Sequence, residues 1–229
     1  VSAMLARKLD ELGVPPAAVL RQAGLPANLF DQAKILVSTE ELFALYRGIA
    51  EASRDAAIGL KLGAEDRVER YDPITLAALS AKSLRDALAR LARYKQLTCP
   101  EAVEVTERGD EARVLFRWLL AEETEPPVLI DICFAAVARI AHRGTDALVG
   151  PTRLELRGAP RGDRLHESHF QCPVRFGARR NSIVFRRSEL DRPFVTHNPD
   201  LLAAVAPQLE AELAQSVQSK AIPEQVKGI

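Results

Sequence analysis

Apolar residues recur every three or four positions through the first hundred residues of the chain, a helical period. Leu5, Leu9 and Leu12 share one helical face, and Gly13 ends that run. Pro15-Pro16 opens a second helix at the tolerated first-turn position, and Gly24 closes it. Ser38-Thr39-Glu40-Glu41 has the form of a capping box ahead of Leu42, Leu45, Tyr46 and Ile49. Asp55 is expected to cap a short helix carrying Ile58, Leu60 and Leu62, with Gly63 as its stop. Tyr71-Asp72-Pro73 introduces a helix from Ile74 to Ala81. Ser83 starts another, in which Leu84, Ala87, Leu88, Leu91 and Ala92 form a one-sided stripe.

After Pro100 the period drops to two. Ala102 to Arg108 alternates, with Val103 and Val105 on one face, and Gly109-Asp110 makes a two-residue hairpin turn. Glu111 to Leu119 returns with Ala112, Val114, Phe116 and Trp118 facing one way. Pro126-Pro127 opens a longer helix to Arg143, whose Leu129, Ile132, Cys133, Ala136, Val137 and Ile140 form a buried stripe. Thr152 to Arg157 and Ser182 to Phe185 read as short strands, and Asn198-Pro199 opens a last helix bearing Leu201, Leu202, Val205, Leu209 and Leu213. The order predicts an α+β fold, a multi-helix N-terminal layer packed on a small mixed sheet with covering helices. The expected division is a helical subdomain over 1–98, a sheet-containing subdomain over 99–195, and a C-terminal helix with the start of a linker over 196–229.

Charge narrows the functional classes. Basic and acidic residues number 31 each, so the net charge is zero, whereas nucleic-acid binding draws most of its affinity from a basic surplus. Unaided DNA binding is not expected. Ala18 to Pro26 has the look of the first half of a helix-turn-helix, but Ala27 to Lys34 contains one basic residue and is too short to read a groove. Cys99, Cys133 and Cys172 are odd in number and far apart, which fits a reducing compartment. The sequence contains no apolar run of membrane-spanning length and opens too polar for a secretory signal, so a cytoplasmic location without membrane contact is expected.

The candidate chemistry is sparse. His166, His169 and Cys172 stand at i, i+3 and i+6 and carry metal-binding side chains, although Pro173 interrupts the segment. The alternative they define is a small enzyme or metal-binding α+β domain. No nucleophile elbow, activated cysteine or phosphate-cradling glycine loop is present, so no catalytic residue, resident cofactor or metal is assigned. Four residues are assigned instead to a ligand pocket. Arg139 and His142 border the buried stripe of the long helix, Tyr71 precedes a helix N-terminus, and Trp118 closes the hairpin stripe. Asp131 is read as part of that helix's solvated face.

Three blocks carry a family resemblance. They are Ala23-Gly24-Leu25-Pro26 with Phe30, Tyr71-Asp72-Pro73 through Ser83-Leu84-Arg85-Asp86-Ala87-Leu88, and the run from Cys172 to Pro193. Together they resemble the N-terminal domain of AraC-type transcription regulators, in the arabinose-binding-domain-like group similar to ornithine-utilisation and virulence regulators. Asp72 stands where relatives carry glycine. The resemblance implies a domain that binds a small-molecule effector and forms a homodimer. Promoter DNA would be contacted only by a helix-turn-helix domain that this sequence does not contain, and 225–229 would begin the linker to it. No sugar preference is carried over, because no aromatic and polar sugar platform is evident.

Overall fold

The computed structural model describes residues 4–32, 35, 37–161 and 164–226, with side chains described to residue 216. Helices α1 (Met4–Glu11), α2 (Pro16–Ala23), α3 (Thr39–Ala52) and α4 (Ile58–Gly63) build the N-terminal layer. Each boundary has a local cause. Gly24 takes the left-handed conformation (φ 66°) that closes α2, and Ser38 and Glu41 complete a reciprocal capping box on α3. Leu9, Val19, Leu20, Leu45 and Ile49 pack together from these helices into one core, which Ile58, Leu62 and Val128 complete.

The second core forms between the sheet and helices α5 (Pro73–Leu79), α6 (Leu84–Tyr94) and α7 (Pro127–Gly144). Asp72 is the N-cap of α5, its Oδ1 accepting from Thr75 N at 2.7 Å. The sheet holds β1 (Glu101–Arg108), β2 (Glu111–Trp118), β3 (Arg153–Glu155), β4 (Val174–Arg175) and β5 (Ser182–Arg186), in the order β1-β2-β5-β3-β4. It is mixed as predicted: β3 and β4 run parallel and the other pairs antiparallel. Gly109 (φ 59°) turns the β1–β2 hairpin, and small Ala112 stands opposite Phe185 across β2 and β5.

Helix α7 joins the two cores. Val128 belongs to the N-terminal core, while Ile130, Cys133, Phe134, Val137 and Ile140 belong to the sheet core. Such a helix is buried on nearly every side, and its contact with α4 is backbone against backbone. A Cβ on Gly59 would lie 2.7 Å from the Val128 carbonyl oxygen, and one on Gly63 would press on the Ile132 carbonyl oxygen. Gly63 was expected as a helix stop. It is instead the last helical residue, with Ala64 after it at negative φ, and the structure requires glycine there for close approach.

The region from β3 onward departs from expectation in detail. β3 is shorter than the predicted Thr152–Arg157 strand, and the two-residue β4 was not foreseen. Helix α8 (Leu165–Phe170) lies between them. The weak helix-turn-helix look after Gly24 ends in a single 3-10 turn, Leu29–Asp31, with Ala33 and Lys34 outside the described residues. Helix α9 (Pro199–Val226) starts at Asn198, whose Oδ1 accepts from Leu201 N, and docks on α5 and α6. Leu209 of this helix is buried with Ile74, Ala77 and Tyr94 of its own domain. No helix of the described residues is long and apolar enough to cross a membrane.

Gly63→Ala should cost about 1–3 kcal/mol of stability through overpacking of α4 on α7. It should appear as a lower urea midpoint at unchanged slope. Gly158→Ala, with open space around the new Cβ, should stay within about 0.5 kcal/mol of the parent.

Candidate functional site

A cleft of about 430 Å³ opens where the N-terminal turn of α7 meets α3 and the β3–α8 loop. Pro126, Pro127, Ile130 and Leu156 make its apolar lining. Its polar lining comes from Arg47 on α3, Glu125 before α7, Arg157 and Arg161 after β3, and Asn181 before β5. Asn181 is fixed from both ends of its amide. Its Nδ2 donates to Glu125 Oε1 at 2.7 Å, and its Oδ1 accepts from Arg157 N at 2.8 Å. Helix α7 begins here without a side-chain cap, so the positive end of its dipole adds to the cationic lining.

A buried polar cluster adjoins the cleft. Asp131, on the second turn of α7, is 1% exposed, and so is His166 on α8. Asp131 Oδ1 accepts from Arg161 Nη2 at 2.8 Å and lies 3.0 Å from His166 Nε2. The same His166 Nε2 lies 3.3 Å from Arg161 Nη2, so the three groups form one cluster. Asp131 Oδ2 and His166 Nδ1 have no hydrogen-bond partner among the described residues. Arg161 belongs to both places, lining the cleft while holding the buried carboxylate. The solvated-face reading of Asp131 is therefore corrected: α8 and the β3–α8 loop cover a helix face that periodicity alone left open to water.

The four residues assigned to a pocket from sequence are dispersed. Tyr71 and Arg139 come together, the guanidinium carbon 4.6 Å from the ring centroid with Arg143 further out at 5.8 Å. Arg139 also donates to the Glu65 carbonyl, while its Nε and the Tyr71 hydroxyl are buried without partners among the described residues. His142 sits apart, its Nε2 3.2 Å from where a Cβ on Gly150 would stand. None of the four lines the large cleft.

Trp118 lies against Phe43 of α3, edge to face with ring centroids 4.9 Å apart, and faces Glu101 across the hairpin register. Glu101 is almost fully buried, and its Oε2 meets Lys95 Nζ at 3.1 Å. Burial pulls the Lys95 ammonium down, and the Glu101 carboxylate beside it overrides that pull and holds it well above its ordinary value. Trp118 Nε1 and Glu101 Oε1 have no hydrogen-bond partner among the described residues.

The metal-type residues are put to separate uses. His166 is committed to Asp131, and the His169 ring packs edge-on to Phe170 at 4.8 Å. Burial pushes the Cys172 thiol up to about 11, and burial likewise holds Cys133 well above its usual value. Among the described residues no group of three His, Cys, Asp or Glu is placed to hold a metal ion. The sequence reading missed the cleft itself. The one signal for it was the pair of arginines in Arg157-Gly158-Ala159-Pro160-Arg161, a loop whose position only the fold reveals.

Residues 13–194 match the profile of the arabinose-binding domain of AraC transcription regulators, an N-terminal domain. Two uncharacterized HTH-type transcriptional regulators, from Mycobacterium bovis and Mycobacterium tuberculosis, are each 31% identical over 114 residues. That stretch is 48% of this chain and 33% of each relative, so the match spans about a third of their length. The crystal structure of the transcriptional regulator CdpR from Pseudomonas aeruginosa shares the fold at a TM-score of 0.57 and 18% identity. The likeness covers 91% of this chain and 64% of that one.

Asp131→Ala should cost about 3 kcal/mol on chemical denaturation, because it strips His166 and Arg161 of their buried partner. A truly solvated position would change stability by less than about 0.5 kcal/mol. At pH 7 Cys133 and Cys172 should react with Ellman's reagent far more slowly in the native chain than in guanidinium, since both thiols are buried and protonated.

Proposed function

The chain belongs to the family of N-terminal arabinose-binding domains of AraC transcription regulators, and from that membership we propose that it senses a small-molecule effector in the cleft beside α7. The observation that carries the reading is the cleft's place in the fold. Its lining comes from the N-terminal layer through Arg47, from the spine helix through Pro127 and Ile130, and from the sheet half through Leu156 and Asn181. A ligand bound there touches every layer, so its differential affinity for two arrangements of those layers shifts their populations. Among the described residues no aromatic side chain lines the cleft, which removes the stacking platform a sugar ring favours. The family's arabinose label is for that reason not extended to the ligand.

The output runs through α9. Arg93 and Tyr94 on α6 hold Glu210 with contacts of 2.5–2.7 Å, and Leu209 anchors the same turn in the core. This tie passes motion of the helical layer into a long helix, which acts as dimer element and as lever toward a DNA-binding domain. DNA contact belongs to a helix-turn-helix domain, and the two mycobacterial relatives are regulators of that HTH type. On this reading the chain acts as a non-enzymatic regulator in the cytoplasm.

A thermal-shift panel of sugars, amino acids, organic acids and aromatic amides tests the reading. A true effector at a hundred times its Kd stabilises by about 2.7 kcal/mol, which raises Tm by roughly 5–10 °C in a domain of this size. Ala159→Trp, at an exposed lining position, should abolish that shift without disturbing the core. A shift that survives the tryptophan would move the site elsewhere. A panel without any shift would count against effector sensing.

A further inference from the structure

The cleft's charge pattern specifies a class of ligand. Its charged lining is three arginines, Arg47, Arg157 and Arg161, against one carboxylate, Glu125, a balance of plus two. These groups differ in their commitments. Arg47 pairs with Glu123 at 3.0 Å on the surface, Arg161 holds buried Asp131, and Glu125 is engaged by the Asn181 amide. The Arg157 guanidinium has no hydrogen-bond or ion-pair partner among the described residues, although its backbone is pinned by Asn181. An uncommitted arginine, on a loop held in place, beside an apolar wall and an uncapped helix start, forms a receptor for a planar anion.

Resting on the effector reading of this cleft, we propose that its ligand is a small organic carboxylate with an apolar body. The carboxylate lies between Arg157 and Arg161, and the body packs on Pro126, Pro127, Ile130 and Leu156. Glu125 in the same lining disfavours a dianion, which selects a carboxylate over a phosphate ester. Arg161 gives the site its internal reach. A ligand carboxylate competes with Asp131 for the Arg161 guanidinium, whose side chain is 33% exposed and so free to swing toward the cleft. Asp131 then leans on His166 alone, and occupancy is felt at the junction of α7 and α8.

Isothermal titration with phenylacetate and hexanoate, each against its neutral amide, provides the test. The acids should bind at least about tenfold more tightly than the amides, and Arg157→Gln should erase that preference. The side-chain nitrogen shifts of His166 should move when phenylacetate binds and stay still with phenylacetamide. Equal binding of acid and amide overturns the proposal, as does full binding by Arg157→Gln or absence of binding at millimolar concentration. Tighter binding of phenyl phosphate than of phenylacetate overturns the carboxylate class. If neutral compounds bind and Ala159→Trp blocks them, the effector cleft stands and the anion class falls. If the acids bind the Ala159→Trp chain undiminished, the cleft reading itself falls. His166 shifts that ignore bound phenylacetate overturn the part given to Arg161.

Discussion

Helix α7 can serve two cores only because α4 lets it come close. Gly59 and Gly63 present bare backbone to Val128, Asp131, Ile132 and Ala135, and that contact sets the depth at which α7 lies between the layers. Side chains at those positions would push the helices apart, and the apolar residues on both faces of α7 would lose their partners together. Dense interiors accommodate such a displacement poorly. The N-terminal layer and the sheet half are therefore joined along one helix that contributes to both cores.

The depth of α7 also explains its chemistry. Driving a helix into the interior carries every face inward, including the one bearing Asp131. A buried carboxylate needs a partner, and Arg161 and His166 supply it from the loop and helix that follow β3. The cleft lies at the start of α7, where Pro126 and Pro127 supply apolar lining and no side-chain cap. Site and spine thus share a cause: the helix that joins the two cores begins at the arginine-lined cleft.

A second ion pair, half-buried Lys95 with buried Glu101, sits at the start of β1 near Trp118 and Phe43. It lies between the 3-10 turn after α6 and the first residue of β1, where the chain passes from helical to extended structure. Breaking one partner there would leave a charge stranded next to aromatic rings. α7 reaches the first polar cluster through Asp131 and the sheet core through Cys133.

What the sequence determined by itself was local. Proline, glycine and Ser38 placed helix starts and stops, and alternation from Ala102 to Trp118 placed the hairpin, because caps, turns and amphipathic periods depend on neighbours a few residues away. The family blocks were readable for the same reason. Tertiary structure decided which faces met. It buried Asp131 under a loop thirty residues downstream, made Gly63 a contact surface in place of a stop, and drew Leu209 inward. It also paired Tyr71 with Arg139 while leaving Trp118 and His142 elsewhere. The cleft collects Arg47, Arg157 and Asn181 from distant stretches of chain, and no periodicity encodes such a meeting. The Asn181 amide ties two of those stretches together, bonding both Arg157 and Glu125.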